Sequence, residues 1–214
     1  KANFLPGMLV PGVMGVVLVL YFWHPPTREF IERMAAVKAR WGFGYSALAG
    51  IVAGAFVPEI LRVAVFQKGR GTRRNFENLV FTIPLWCVMG LCVDVLYRMQ
   101  VVWFGDEATL PVVVAQVFVD QFLYNPLFAA PLLVWLYDWR NGGYRVPKDA
   151  LNLRYYMGHV FPTLIAGWAV WIPVTAILYT LPESVQVPLF ALALSLWVLI
   201  FTWMSENRGG EVVG

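Results

Sequence analysis

The chain has 214 residues, of which 59% are hydrophobic and 14% are charged, and its mean hydropathy is +0.64. A soluble domain has roughly 45–50% apolar and about 25% charged residues, so a soluble domain of this size could not bury so much apolar surface. The formal net charge is only +3, and the aromatic residues lie inside apolar runs, which argues against a nucleic-acid partner. The composition predicts an all-α fold, a polytopic transmembrane helix bundle of about five to six membrane helices plus one interfacial amphipathic helix.

The first forty residues are predicted to form two helices. Residues 4–23 are almost wholly apolar, which is typical of a retained membrane helix, although the sequence leaves open whether this run crosses fully. Pro25 and Pro26 then end one helix and start the next. In residues 25–40, apolar side chains recur at helical spacing beside charged ones, which indicates an amphipathic helix lying in the membrane interface. Residues 1–40 are therefore treated as an N-terminal unit.

Residues 41–205 contain five further apolar runs, and the charge of the loops between them alternates. The loops at 67–75 and 140–154 are basic, whereas the loops at 104–110 and 182–184 carry no lysine or arginine. Because lysine and arginine favour the cytoplasmic or matrix side, the alternation predicts four crossings after residue 75. The N-terminal segment 24–40 does not fit this alternation, because it is basic and yet lies one crossing away from the basic loop at 67–75. The predicted runs are 41–66, 79–103, 110–139, 155–181 and 185–205, followed by a polar tail at 206–214.

Two glycines indicate a close helix contact in the second run. Gly50 and Gly54 are spaced as a small-xxx-small pattern, which lets two helix backbones approach each other. The alternative is that glycine is simply frequent in membrane helices. We expect a packing contact on this face.

A carboxylate lies near the middle of the run at 111–139. Asp120 is accompanied by Gln121 and Asn125. A charged side chain at such a depth costs about 3 kcal/mol on insertion scales and almost always faces a partner or a water-filled cavity. We therefore expect the three side chains to face the bundle interior. They form either a functional polar seam or a hydrogen-bond network that only holds helices together.

Further polar residues in the apolar runs extend this hypothesis. Glu59 and Arg62 are three residues apart, and Asp94 and Arg98 four apart, so each pair can meet on one helix face. One interpretation is a polar track between helices, and the other is that these pairs extend to the membrane interface. Asp120 has no basic residue one turn away, so its partner is expected from another helix, first Arg98 and then Arg62. The candidate seam is Asp120, Gln121, Asn125, Asp94, Arg98 and Arg62.

No motif for enzymatic chemistry is present in the sequence. His24 and His159 are the only histidines, whereas a metal site needs several convergent ligands. There is no Gly-rich phosphate loop and no nucleophile elbow. The sequence therefore predicts no catalytic residue, no cofactor, no metal site and no enzyme.

Two stretches carry motifs of one known family. The first is Asp120-Gln121, followed by Pro126 and Phe128. The second comprises Trp171, Pro173, Tyr179, Leu181, Pro182 and Trp197. They resemble the Asp-Gln...Pro motif on the third helix and the Trp-Pro...Val-Pro segment of the Mpv-seventeen / peroxisomal-membrane-protein-twenty-two family of small organelle membrane proteins, whose last helix also carries a tryptophan.

The resemblance covers most of residues 41–205 and identifies a divergent member with an N-terminal extension. Pro173 is displaced by one residue relative to the family, and the family arginine after the Val-Pro is missing from residues 183–189. The resemblance implies a small helical bundle in the mitochondrial inner membrane, with a bacterial inner membrane or another organelle membrane as alternatives. It also implies a pore or channel-like activity, with Asp120 and Gln121 in the family motif.

Two functions follow from these observations. The first is channel-like passage of small solutes through the polar seam near Asp120. The alternative is a non-catalytic accessory subunit packed in a larger respiratory, ATP synthase or photosynthetic membrane complex. The extra helices in residues 1–40 favour the alternative, because family-like bundles do not need them. The expected partners are membrane lipids, which the protein binds, and either a second copy of the chain or a larger membrane complex.

Overall fold

The computed structural model describes residues 4–146, 149–150 and 152–211. Within these residues the fold is all-α, without a strand, which confirms the predicted class. The helices are α1 (Phe4–Trp23), α2 (Pro25–Trp41), α3 (Phe43–Phe66), α4 (Arg73–Phe104), α5 (Leu110–Asn141), α6 (Leu153–Tyr179) and α7 (Glu183–Glu211). Helix α7 thus continues into the predicted polar tail, of which residues 212–214 lie outside the described residues.

Four of the described helices, α3 to α6, are long and apolar enough to cross a membrane. Helices α1 and α2 pass the same test only as a pair, and they are bent by 101° relative to each other. The apolar run Glu183–Leu199 of α7 is shorter. This set of helices fits an integral membrane protein, and the sharp bend gives α2 a direction different from that of α1.

Helices α3 and α4 pack closely against each other in antiparallel orientation. A Cβ atom added to Gly50 would lie 3.0 Å from the Gly90 Cα, and one added to Gly54 would overlap the Trp86 ring. The predicted small-residue contact is therefore confirmed, and its partner is α4. Because Gly50 meets Gly90 and Gly54 meets Trp86, the start of α3 lies beside the end of α4.

This packing gives the bundle two chemically different ends. The loop 67–72 and the described residues of the loop between α5 and α6 lie at one end, which we call the basic end. Helix α2 and the loops 105–109 and 180–182 lie at the other, which we call the α2 end. The loop charges predicted this alternation for every segment except 24–40.

Ion pairs neutralise most of the charges of α2. This explains how a segment with a basic sequence lies at the α2 end, where the loops carry no lysine or arginine. Lys38 is buried, and its ammonium donates a 2.7 Å hydrogen bond to Glu183 at the start of α7. The exposed face pairs Arg28 with Glu32 and Arg33 with Glu29. Only Arg40 is then left exposed without an ion pair among the described residues. A charge-counting rule therefore overstates the basicity of this segment.

Helices α1 and α2 pack into the same bundle as the rest of the chain. Val10 and Met14 of α1 and Ile31 of α2 are buried in one apolar core with Val174 of α6 and Val185 of α7. Tight packing of this kind is the main attraction between helices in a membrane. The N-terminal unit predicted at residues 1–40 is thus a structural part of the bundle as far as residues 4–40 are described.

Helix α4 begins at Arg73 rather than at residue 79 as predicted. Thr72 caps this helix, because its backbone N–H donates a 2.7 Å hydrogen bond to Asn75 Oδ1 and the reciprocal capping contact is present. The prediction from hydropathy covered only the apolar part of this helix, so it left out the polar first turns at residues 73–78. Arg73 and Arg74, predicted in a loop, lie in the first turn of the helix.

Candidate polar seam

The polar residues of α5 lie on a π-helical segment, Val119–Ala129. Side chains of α6 satisfy two of its carbonyl oxygens, since Trp168 Nε1 donates to the Gln121 carbonyl at 3.0 Å and the Tyr156 hydroxyl donates to the Pro126 carbonyl at 2.9 Å. Pro126 itself has no N–H to contribute to a helical ladder. Segments of π-helix are rare and often occur at functional sites.

Asp120 is buried and accepts hydrogen bonds from two neighbouring side chains. The Tyr179 hydroxyl donates to Asp120 Oδ2 at 2.7 Å, and Gln121 Nε2 donates to Oδ1 at 3.1 Å. Gln100 Nε2 in turn donates to the Tyr179 hydroxyl at 3.0 Å. The network therefore joins α4, α5 and α6 inside the bundle. The expectation that Asp120 faces the interior is confirmed.

The expected arginine partners of Asp120 lie elsewhere. Arg98 Nε is 3.0 Å from Asp94 Oδ1, and Arg62 pairs with Glu59, so the two pairs predicted from spacing are formed. Each arginine is held by a carboxylate one turn away on its own helix. The prediction that Arg98 or Arg62 pairs with Asp120 is wrong, because a tyrosine hydroxyl and an amide satisfy the Asp120 carboxylate instead.

Sequence reasoning missed Tyr179 and Gln100 as members of this network. Tyr179 was noticed only as part of a family-like motif, and Gln100 lies near the end of an apolar run. A signal was nevertheless present, because a buried glutamine in a membrane helix needs hydrogen-bond partners. The two family-like motifs meet in space, since the hydrogen bond between Asp120 and Tyr179 joins them.

A cavity of about 150 Å³ lies beside Asp120, and we call it the Asp120 cavity. Gln121 and Asn125 also line it, as do Tyr97 and Tyr124. The buried hydroxyls of both tyrosines have no hydrogen-bond partner among the described residues. Buried polar groups without a protein partner commonly bind ordered water, and a cavity needs roughly 10–15 Å³ of such space to hold one water molecule. This cavity can therefore hold several water molecules or a small polar solute.

A larger cavity of about 670 Å³ lies at the basic end. We call it the vestibule, and its charged and amide lining includes Glu59, Arg62, Arg74, Asn75, Asn78 and Arg140. Glu59 accepts hydrogen bonds from Asn75 at 2.8 Å and from Asn78 at 2.9 Å, in addition to its ion pair with Arg62. Arg140 of α5 donates to Asn78 Oδ1. The polar part of the vestibule is therefore built by α3, α4 and α5.

The two cavities are neighbours. Trp86, Leu133 and Trp197 line both of them. We call these three side chains the apolar wall. Side chains of this kind can change rotamer without unfolding a helix, so the barrier between the cavities is local.

Asp94 belongs to a third polar group, at the α2 end. Its buried carboxylate accepts a 2.6 Å hydrogen bond from Ser46 and a 3.0 Å hydrogen bond from Arg98. The Lys38 ammonium lies 3.5 Å from Asp94 and binds Glu183. We call these five residues the charge cluster. Sequence analysis identified Asp94 and Arg98 and missed the other three.

His159 lies at the basic end, away from the seam. Its Nδ1 is 3.0 Å from Asp138 Oδ2, which also accepts a 2.7 Å hydrogen bond from Tyr155. Within the described part of the chain, no group of three or more histidine, cysteine, aspartate or glutamate side chains could hold a metal ion.

No family model matches the chain, and neither a curated protein nor a solved structure matches it. The resemblance to the Mpv-seventeen / peroxisomal-membrane-protein-twenty-two family therefore stays a prediction that rests on the motif residues named above.

Proposed function

We propose that this integral membrane protein allows channel-like passage of small polar solutes through the seam beside Asp120. One observation carries the proposal: the vestibule and the Asp120 cavity share the apolar wall of Trp86, Leu133 and Trp197. A pore requires polar groups from several helices at several depths. The vestibule, the Asp120 cavity and the charge cluster supply such groups from the basic end to the α2 end.

The Asp120 cavity has the chemistry of a solute-binding site at depth. Its tyrosine hydroxyls and amides can replace the hydration shell of a small polar solute, which is how narrow pores lower the barrier to entry. Asp120 fixes the orientation of Tyr179 and Gln121 through the hydrogen bonds described above. On this proposal the Asp120 carboxylate holds the side chains of the lining in place. This role explains why a residue whose burial in a membrane costs free energy is present at this depth.

The described structure represents a closed state on this proposal. The apolar wall blocks the vestibule side, and hydrophobic constrictions of this kind stop conduction by excluding water. The buried hydrogen bond between Gln100 and Tyr179 and the charge cluster block the α2 end. Opening then requires side-chain movement at both barriers.

The accessory-subunit alternative has less support from the fold. Its main argument was that helices in residues 1–40 are additional to a family-like bundle. Those helices bury Val10, Met14 and Ile31 in a core shared with α6 and α7. They complete the bundle itself, so a larger complex is not needed to explain them. The proposed host is the mitochondrial inner membrane, which rests on the family resemblance alone.

The first experiment is the native size of the protein, extracted from its own membrane in a mild detergent. Migration alone or as a small homo-oligomer is expected, whereas migration only within a large assembly would support the accessory subunit instead.

The purified chain is then reconstituted into vesicles for solute-flux measurement. We expect flux above that of empty vesicles and a several-fold change in Asp120→Asn. Glu29→Gln on the exposed face of α2 is the matched control and should behave as wild type. Flux equal to that of empty vesicles would overturn the proposal.

A further inference from the structure

We propose that the vestibule binds a phosphate group, carried by a small solute or by a lipid headgroup. This inference deepens the proposed function by naming the chemistry of the solute that enters, and it rests on that function only for the solute's passage. Binding itself is a property of the vestibule and can be measured without transport.

The charge of the vestibule favours an anion. Among the described residues, three arginines and one glutamate line it. Glu59 is already bound by Arg62 and by the amides of Asn75 and Asn78. The glutamate therefore pairs with Arg62, and no described carboxylate in the lining pairs with the other two arginines, Arg74 and Arg140.

Arg140 is positioned to bind oxygen atoms in this cavity. Its guanidinium donates to Asn78 Oδ1 and lies over the Phe81 ring, 4.8 Å from the ring centroid. These two contacts fix the plane of the group. A guanidinium carries about five N–H donors in a rigid fork, so hydrogen bonding to Asn78 leaves donors for a phosphate. Partial burial also protects the charge from screening by salt.

The first turn of α4 adds positive potential at the same place. This helix runs from Arg73 to Phe104, and Asn75 in its first turn lines the vestibule. Helix N-termini carry a partial positive charge and are frequent phosphate-binding positions. Arg74 in the same turn lines the cavity and has no ion pair among the described residues. The N-terminus of α4 and the arginines thus both contribute positive potential to the vestibule.

Gln67 favours phosphate over a carboxylate. This residue lines the vestibule, and its Oε1 atom is buried without a hydrogen-bond partner within the described chain. This acceptor needs a donor hydrogen. Hydrogenphosphate carries a hydroxyl that can donate, whereas a carboxylate carries acceptors only. A cavity of about 670 Å³ also exceeds the needs of a bare phosphate ion and lies in the usual range of small-molecule sites.

The test uses the full chain purified in a mild detergent, titrated with inorganic phosphate at constant ionic strength while thermal unfolding is followed. A ligand that binds only the folded state raises the unfolding temperature saturably. We expect this rise in wild type and at least a tenfold weaker apparent affinity in Arg140→Gln and in Arg74→Gln. Arg33→Gln, on the exposed face of α2 at the other end, should match wild type. If Arg140→Gln does not fold, Arg74→Gln alone decides, because Arg74 is exposed and holds no described contact.

A second arm distinguishes the two sources of the phosphate group. Nanodiscs with and without phosphatidylglycerol are compared for the same variants. Stabilisation by inorganic phosphate assigns the site to a solute, and stabilisation by phosphatidylglycerol alone, lost in the same variants, assigns it to a headgroup. No stabilisation by either probe, or stabilisation equal in wild type and both variants, overturns the proposal. Binding without vesicle flux would overturn only the proposed channel, and flux without binding would overturn only this site.

Discussion

The Lys38 ammonium lies 3.5 Å from the fully buried Asp94 carboxylate, and it joins the amphipathic helix α2 to the C-terminal half of α4. The same ammonium binds Glu183 at 2.7 Å. One lysine thus holds three helices together at the α2 end. A cation in this position is retained only because two carboxylates surround it.

Lys38→Met should therefore destabilise the bundle strongly. The change leaves Asp94 with Arg98 and Ser46 and removes the lysine from Glu183. Breaking a buried pair by removing one partner costs about 3–5 kcal/mol, and we expect the lower part of this range because Arg98 still binds Asp94. Thermal unfolding in detergent measures the effect. Arg33→Met breaks an exposed pair with Glu29, which should cost less than about 1 kcal/mol. Equal unfolding temperatures for the two variants would contradict the role assigned to Lys38.

The position of Lys38 illustrates what the sequence could and could not predict. Helical spacing predicted an amphipathic helix over residues 25–40, and the structure places Lys38 on its buried face. Nothing in the spacing showed which helix would cover that face. The partners Asp94 and Glu183 come from distant parts of the chain, so they emerge only when the helices are packed.

Tyr179→Phe should destabilise the bundle, whereas Tyr97→Phe should not. The Tyr179 hydroxyl donates to Asp120 and accepts from Gln100, so its removal leaves two buried polar groups short of a partner. That loss costs about 1–3 kcal/mol. The Tyr97 ring lies 5.4 Å from the Tyr179 ring, but its buried hydroxyl has no described hydrogen-bond partner. Its removal should change the free energy of unfolding by less than about 0.5 kcal/mol or stabilise the protein.

Chemical or thermal unfolding of both variants in the same detergent provides the comparison. A loss of stability in Tyr97→Phe equal to that in Tyr179→Phe would show that water in the Asp120 cavity binds the Tyr97 hydroxyl as firmly as Asp120 binds that of Tyr179. The two tyrosines are therefore also probes of the hydration of the cavity.

The network around Asp120 shows a different limit of sequence reasoning. The depth of Asp120 in an apolar run predicted correctly that it faces the interior, because lipid does not tolerate a charged side chain. The predicted partner was wrong because opposite charge is not what satisfies this carboxylate. A tyrosine hydroxyl satisfies a buried carboxylate without a second charge to desolvate, and such a partner has no spacing signature in the sequence.

Gly50→Ala should separate α3 from α4. An added Cβ would lie 3.0 Å from the Gly90 Cα, and this neighbour is backbone that cannot rotate away. Overpacking a tight contact costs about 1–3 kcal/mol. Gly44→Ala in the same helix is the matched control, since no atom lies within 4 Å of its added Cβ. The control should be neutral or slightly stabilising, because alanine has the higher helix propensity. Unfolding temperatures in detergent measure both, and an unchanged value for Gly50→Ala would show that the two helices can shift apart at no cost.

Leu133→Ala should open the apolar wall between the vestibule and the Asp120 cavity. Leu133 lines both cavities, so a shorter side chain joins them without changing the charge or the polar lining. A wetter constriction conducts more readily, and we expect solute flux into vesicles to rise several-fold. Leu127→Ala is the matched control on the same helix, because Leu127 is 75% exposed on the outer face. Both variants must first elute as folded protein, since truncation of a packed leucine costs about 2–5 kcal/mol. Equal flux for Leu133→Ala and Leu127→Ala, with both folded, would mean that the wall does not control passage.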